Sequence, residues 1–519
     1  MKLSIAWLLL VATFLQAGHT YRILGVFPTP GKSHTILGEG VVRHLTSAGH
    51  DVTYITPILM KSPPKNLRQI DVSANFKYLT SHGDVMNIKS HMEQKKEVDM
   101  SNMRVIIEMM LDVHNLTYHN PNVQRLLSDT SEQFDVVIAE WMFTELHAAI
   151  SAIFNAPHIW LSTVEPHWLV LRLLDEASSP AYTADILSSN IPPLPFLVRI
   201  QELWSRIYTL GLKKFVLDSS EENIYSTLTP YFKMRGREAP PFNELVFNAS
   251  LMFGNSHVSL GQAMTLPQSL KPIGGYHIDT RTAPLPQDLQ TLMDNAKHGV
   301  IYFSLGSNIK SKDLPDETKQ GLLKMFGKLN HIVIWKFEEA LSGLPSNVHI
   351  LQWAPQPSIL AHPNCILFIT HGGLLSTTET IHFGKPIIGI PVFGDQFVNV
   401  NRAVAKGFAK RVDLSYDMAD ELEAAIKDII QDPKYSNKVK ELSLVYHDRP
   451  VPPGKELVHW VEHVVKTKGA PHLRSPALSV PLYQKMYLDL IALVVVVLLV
   501  IKAVFRRIFK KKPSKEKKQ

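Results

Sequence analysis

A single cysteine, Cys365, in 519 residues excludes any intrachain disulfide, so a chain of this length must hold its fold through apolar cores alone. The 23 histidines are scattered, and no pair stands at convincing ligand spacing with carboxylates, so no metal centre is read. Internal repeats are absent. A basic surface for nucleic acid is missing too, although the net charge of +7 first suggests one. From Lys502 onward the only acid among nine Lys/Arg is Glu516, so this tail carries the whole excess and the remainder is near neutral.

Long hydrophobic runs occur only at the two ends. Met1-Lys2, an apolar stretch from Leu3 to Leu15 and small residues around Ala17-Gly18 read as a secretory signal peptide over 1–20, cleaved between Ala17 and Thr20. At the other end, 487–505 is apolar enough to cross a ~30 Å hydrocarbon layer, and the basic segment 506–519 after it predicts a cytosolic tail with the body on the luminal side. Asn115 and Asn248 open N-x-S/T triplets compatible with glycosylation on that side. Lys515 and Lys517, fifth and third from the carboxyl end, have the spacing of endoplasmic-reticulum retrieval tails, which predicts a single-pass type I protein of that membrane.

Between these ends, strand and helix signals alternate, which argues for parallel α/β sheets. Strands are predicted at Tyr21–Phe27, Asp51–Ile55, Phe134–Ala139 and Pro157–Leu161, with a helix from about His34 to Ala48. The Pro- and Gly-rich stretch 271–287 reads as a linker, dividing 21–270 from 288–473. The second half offers strands Val300–Ser304, Ile332–Lys336, Val348–Gln352, Cys365–Thr370 and Pro386–Ile390, and a helical segment after Pro453 is expected to return toward the first domain. The aromatic stretch from Ile191 to Trp204 fits either a membrane-touching or acceptor-lining element, or an ordinary amphipathic helix packed on the core.

The densest chemistry lies between Trp353 and Gln396, where W-A-P-Q, T-H-G-G-L-L-S-T-T-E and P-V-F-G-D-Q follow one another. An indole, an amide, a His-Gly-Gly turn between strand and helix, a Ser, a Glu and a closing Asp-Gln are the groups that would hold a base, a ribose, a diphosphate and a sugar. The spacing of Trp353, Gln356, His371, Gly373, Ser376, Glu379, Asp395 and Gln396 resembles the donor signature of the UDP-glycosyltransferases, most closely their insect-like membrane-bound members. Similarity extends to Phe303–Ser307, to Phe27-Pro28 with Ser33-His34, and to Phe134-Asp135.

That resemblance implies a GT-B architecture, two facing Rossmann-like domains with the acceptor side in the first and the UDP-sugar side in the second. It further implies that Trp353 stacks on uracil, Gln356 bonds base or ribose, and Glu379 takes the ribose hydroxyls. His371, Gly373, Ser376 and Ser307 would serve the diphosphate, and Asp395 and Gln396 the sugar. No cofactor or metal is expected; the partners are a UDP-sugar, a small lipophilic acceptor and membrane lipid, with no nucleic acid, and a homo-oligomer is compatible with the sequence.

Sugar transfer to a hydroxyl requires a base. Ser33-His34 falls at the predicted turn after the first strand, where a helix dipole would disfavour the imidazolium and keep the ring neutral. The resemblance then makes His34 the general base. Its orienting carboxylate, commonly an Asp just after the strand at Phe134–Ala139, is here Glu140, with Glu145 as a weaker alternative. A second departure is Leu375, where many relatives carry Asn. The reading is an inverting hexosyltransferase, using UDP-glucose or, as runner-up, UDP-glucuronate; Glu140 and Leu375 keep open a non-catalytic protein that binds a nucleotide sugar or a lipophile.

Overall fold

In the computed structural model, residues 20–81, 88–89, 92, 103–185, 187–188, 190–279 and 282–509 are described. The expected signal peptide and the end of the basic tail, with Lys515 and Lys517, lie outside them.

Seven strands form the first sheet: Arg22–Val26 (β1), Asp51–Thr56 (β2), Leu67–Asp71 (β3), Val136–Trp141 (β4), His158–Ser162 (β5), Leu251–Gly254 (β6) and Leu270–Pro272 (β7). All pairings are parallel, in the order β3-β2-β1-β4-β5-β6-β7. Six more, Val300–Ser304 (β8), Ile332–Lys336 (β9), Val348–Leu351 (β10), Cys365–Thr370 (β11), Ile387–Gly389 (β12) and Ala409–Arg411 (β13), form a second parallel sheet ordered β10-β9-β8-β11-β12-β13. Central strands such as β4 (V-V-I-A-E-W) and β8 (V-I-Y-F-S) are buried along their whole length, as parallel strands covered on both faces must be. Short β3, β6, β7 and β13 escape sequence reading because three to five residues, several of them polar, carry too little periodicity.

The helices that matter for function are Lys32–Ser47 (α1), Met103–His119 (α2), Phe196–Leu212 (α3), Gln356–Ala361 (α4), Leu374–Phe383 (α5), Gln396–Ala405 (α6), Pro453–Lys466 (α7) and Leu488–Phe509 (α8). Helix α7 buries Leu457, Val461 and Val464 in the first sheet's apolar cluster with Leu37, Val41 and Ile138. The chain therefore returns across both domains before it reaches α8. Leu375 also packs against that first-domain cluster, so this departure from the resemblance serves an apolar interdomain contact. The lone Cys365 is buried in β11.

Each sheet reverses its strand order once, between β1 and β4 in the first and between β8 and β11 in the second. At such a switch point the connections leave in opposite directions, opening a crevice beyond the carboxyl ends of the strands. Both crevices hold the residues singled out above.

Candidate active site

In the first crevice, α1 follows β1 with Gly31 at its N-cap, and His34 stands in the opening turn. A Cβ on Gly31 would meet the His34 ring carbon Cδ2 at 2.8 Å, so this cap position must be bare for the ring to lie where it does. Glu140 is the penultimate residue of β4 rather than a residue after the strand, because β4 runs on to Trp141. Its Oε1 makes a short hydrogen bond with His34 Nδ1.

Glu140 is almost wholly buried, and its second oxygen has no hydrogen-bond partner. The carboxylate is therefore balanced best when His34 is protonated. Burial opposes the imidazolium, but the charge and hydrogen bond of Glu140, aided by the charge of Asp395 across the cleft, prevail and raise the His34 pKa above its ordinary value. This corrects the expectation from the helix dipole: the carboxylates, not the helix terminus, set the basicity of the ring. With Nδ1 engaged, Nε2 is the nitrogen available to an acceptor.

Glu145, the alternative partner, is committed elsewhere. It accepts from Arg172 Nη2 at 3.0 Å, Lys213 Nζ at 2.9 Å and Trp141 Nε1 at 3.2 Å. Burial works against its charge, yet the two cations hold its pKa below the usual carboxylate value.

In the second crevice, β8 and β11 run side by side to Ser304 and Thr370, and the turns after them carry Ser307 and His371. The His371 ring lies between two glycines. A Cβ on Gly306 would meet its Cε1 at 2.5 Å, and one on Gly373 its Nε2 at 2.6 Å. Gly372, at φ 82°, sits so close to α6 that a Cβ would lie 2.2 Å from Val400 Cγ2. Burial, with help from the charge of Lys336, lowers the His371 pKa to about 4, so the ring is a neutral donor rather than a cation. Helix α5 begins at Gly373 without a side-chain cap, leaving first-turn N–H groups and the positive dipole end for an anion.

Around this turn the remaining groups form a chain. Tyr302 OH donates to Gln356 Oε1 at 3.3 Å, and Gln356 Nε2 donates to Glu379 Oε2 at 2.7 Å and to Ser376 Oγ at 3.2 Å. Burial pushes the Glu379 carboxyl up to about 7 against that one hydrogen bond. Trp353, by contrast, leaves 59% of its surface exposed, with Lys336 Nζ 5.8 Å from the ring centroid. It is an open platform.

Asp395 caps α6, and Asn399 Nδ2 donates both to its Oδ2 at 2.8 Å and to the Gly372 carbonyl at 3.1 Å. Gln396 spends its carbonyl on the N–H groups of Val392 and Phe393, at 2.8 and 3.2 Å, so its NH2 is the end available to a ligand. Of the two sequon residues, Asn248 is exposed and accepts from Arg474, while Asn115 is half-buried on α2. Among the described residues no cluster of three or more His, Cys, Asp or Glu is arranged to hold a metal ion.

Sequence reading misses two neighbours. His277, just beyond β7, is buried with Nε2 3.9 Å from Glu379 Oε1, and burial takes its pKa down to about 3. Nothing in its local sequence marks it. Asn399 could have been found, since it stands one helical turn after Asp395.

The pattern described as "UDP-glucoronosyl and UDP-glucosyl transferase" matches residues 23–519. "UDP-glucosyltransferase 2" of Dactylopius coccus is 31% identical over 496 residues, 96% of this chain and 94% of that protein. "UDP-glucuronosyltransferase 2B1" of Rattus norvegicus is 27% identical over 518 residues, covering 94% and 92%. Among solved structures, the calicheamicin glycosyltransferase CalG4 superposes with a TM-score of 0.58 at 17% identity, over 86% of this chain and 99% of that one. That likeness identifies the two-sheet arrangement as GT-B.

Proposed function

This chain belongs to the UDP-glucuronosyl and UDP-glucosyl transferase family and moves a sugar from a UDP-sugar to an acceptor, and we propose that it is an inverting glucosyltransferase acting on hydroxyls of small lipophilic compounds. The observation that carries the chemistry is the hydrogen-bonded His34 and Glu140 pair at the switch point of the first sheet. In the proposed step, His34 Nε2 takes the acceptor proton as the acceptor oxygen bonds the anomeric carbon and the bond from that carbon to the diphosphate breaks. Glu140 stabilises the imidazolium that forms. Asp395, whose charge already reaches His34, would face the sugar between the two crevices.

For the donor, we assign uracil to the open face of Trp353, ribose hydroxyls to Glu379 with Gln356, and the diphosphate to His371, Ser307, Ser376 and the first-turn N–H groups of α5. Leaving-group charge is then met by fixed dipoles in a partly dry site. Asp395 and the NH2 of Gln396 would read sugar hydroxyls. Glucose is favoured as donor by the glucosyl name of one insect relative, at 31% identity. Helix α8, 22 residues with a mean hydropathy of 2.9 over its most apolar 18, is about 33 Å long and would anchor the protein in the endoplasmic-reticulum membrane with its body in the lumen.

Turnover of UDP-glucose and UDP-glucuronate against a panel of phenols, by wild type and His34→Ala, tests the reading. Transfer from UDP-glucose that disappears in His34→Ala while UDP still binds is the expected result. Preference for UDP-glucuronate would reject the donor, and wild-type turnover by His34→Ala would reject the base.

A further inference from the structure

Helix α3 is built inside out. Its polar residues face the protein: Glu202 and Arg206 are only 3% and 6% exposed. Glu202 accepts from the Asp185 N–H at 2.8 Å and from Ser188 Oγ at 2.6 Å, and Arg206 donates to the carbonyls of Ser178 and Thr183. These bonds are what make such burial tolerable. The opposite stripe, Phe196, Ile200, Leu203, Trp204 and Ile207, recurs at helical spacing and is open to the surroundings, with Trp204 67% exposed and Phe215 just beyond it 87% exposed. Arg199 and Lys214 are the exposed charged side chains along this face, and Lys214 is already paired with Asp218, one turn further on. A continuous apolar stripe of this kind marks an interaction surface.

The occupant follows from where the C-terminal chain leaves the body. Ser475 Oγ donates to Asp175 Oδ1 at 2.6 Å, and Arg474 Nη1 donates to Asn248 Oδ1 at 2.8 Å. Asp175 opens the same loop whose Ser178 and Thr183 carbonyls hold Arg206, so α3 and the root of α8 are fixed to one structural element. Leu482, Tyr483 and Tyr487, between that root and α8, are exposed as well. We propose that α3 and the turn through Phe215 lie in the interfacial zone of the bilayer that α8 crosses, with Trp204 and Phe215 among the acyl chains and Arg199 reaching back to lipid phosphates. The end of this surface is tied to the active site, since Lys213 Nζ donates to the Phe143 carbonyl at 3.1 Å, in the loop that follows β4 and Glu140. Docking brings the acceptor side of the cleft to the membrane, where lipophilic acceptors concentrate.

The inference rests on α8 spanning a membrane, and the experiment separates the two. Because Cys365 is buried, an environment-sensitive fluorophore can be placed on Phe215→Cys, Leu203→Cys or, as a control on the second domain, Lys427→Cys in the full-length protein reconstituted into phosphatidylcholine vesicles. The first two sites should emit at shorter wavelength than the control, be quenched by nitroxide on the lipid chains and be shielded from aqueous iodide. Water-like emission and iodide quenching at Leu203 and Phe215, in protein that resists alkaline carbonate extraction, would overturn docking while leaving the anchor intact. Extraction by carbonate would instead remove the anchor and the inference with it. Shielding without nitroxide quenching, varying with protein-to-lipid ratio, would assign the face to a second copy of the chain and also overturn the proposal.

Discussion

Replacing Glu140 by Gln keeps the shape of the side chain and removes its charge, which isolates what the carboxylate does for His34. In the wild type, burial lowers the His34 pKa while Glu140 and Asp395 raise it, with a net upward result. Loss of the Glu140 charge leaves burial opposed mainly by Asp395, so the pKa must fall. A base works only when unprotonated, so wild-type activity should rise with pH through a value above 6.5. In Glu140→Gln that acid limb should move to lower pH, while the plateau falls because the imidazolium is no longer stabilised. A positioned general base contributes ~10²–10⁴ in rate, so the plateau should drop within that range, or by about 3–5 kcal/mol of barrier. The affinity for UDP should be unchanged, because the groups assigned to it lie beyond the second sheet. Glu140→Asp restores charge but shortens the side chain by one bond, about 1.5 Å. Strand β4 is paired to β1 and β5 on its two sides and cannot advance to close that gap, so Asp should recover only part of the loss. Rate against pH at saturating acceptor, with UDP binding by calorimetry, reads all three quantities. A Glu140→Gln enzyme with the wild-type plateau and the wild-type acid limb would refute the pairing as the source of basicity.

Glu145→Gln should behave in the opposite way, lowering the melting temperature with no shift of the pH profile. It leaves the half-buried Arg172 and Lys213 short of the buried anion they share, a loss of up to about 3–5 kcal/mol to be read by thermal unfolding. Glu379 has its pKa raised by burial to about 7; a carboxyl raised in this way favours the folded state at low pH, and that contribution is lost as pH rises from its unfolded range through about 7. The ionised carboxylate accepts from both ribose hydroxyls more strongly than the acid does, so affinity for UDP-glucose should strengthen as pH rises through about 7, and Glu379→Gln should weaken binding and flatten this dependence in calorimetric titrations. Asp395→Ala should raise the KM for UDP-glucose while UDP alone binds nearly as in wild type. An equal loss of affinity for both ligands would place Asp395 against the nucleotide instead of the sugar.

The division between sequence and tertiary structure follows the range of the interactions. Apolar runs such as Val300–Ser304 and Cys365–Thr370 are strands by local composition, and their observed bounds match those expected. The His371 to Glu379 segment was legible for the same reason, since strand, glycine turn and helix are contiguous and their spacing alone places the side chains. Local reading also led astray at His34, where the helix terminus suggested a depressed pKa. The carboxylates that raise it stand 106 and 361 positions away and meet it only when β1 pairs with β4 and the second domain closes opposite. Glu145 shows the same limit, being about as near in sequence as Glu140 yet, in the loop after β4, committed to Arg172 and Lys213. The stretch ending at Trp204 had an amphipathic pattern, but periodicity tells only that a helix has two faces. Which face turns inward was decided by Asp185, Ser188 and the Ser178 carbonyl, partners that exist for Glu202 and Arg206 only in the folded chain.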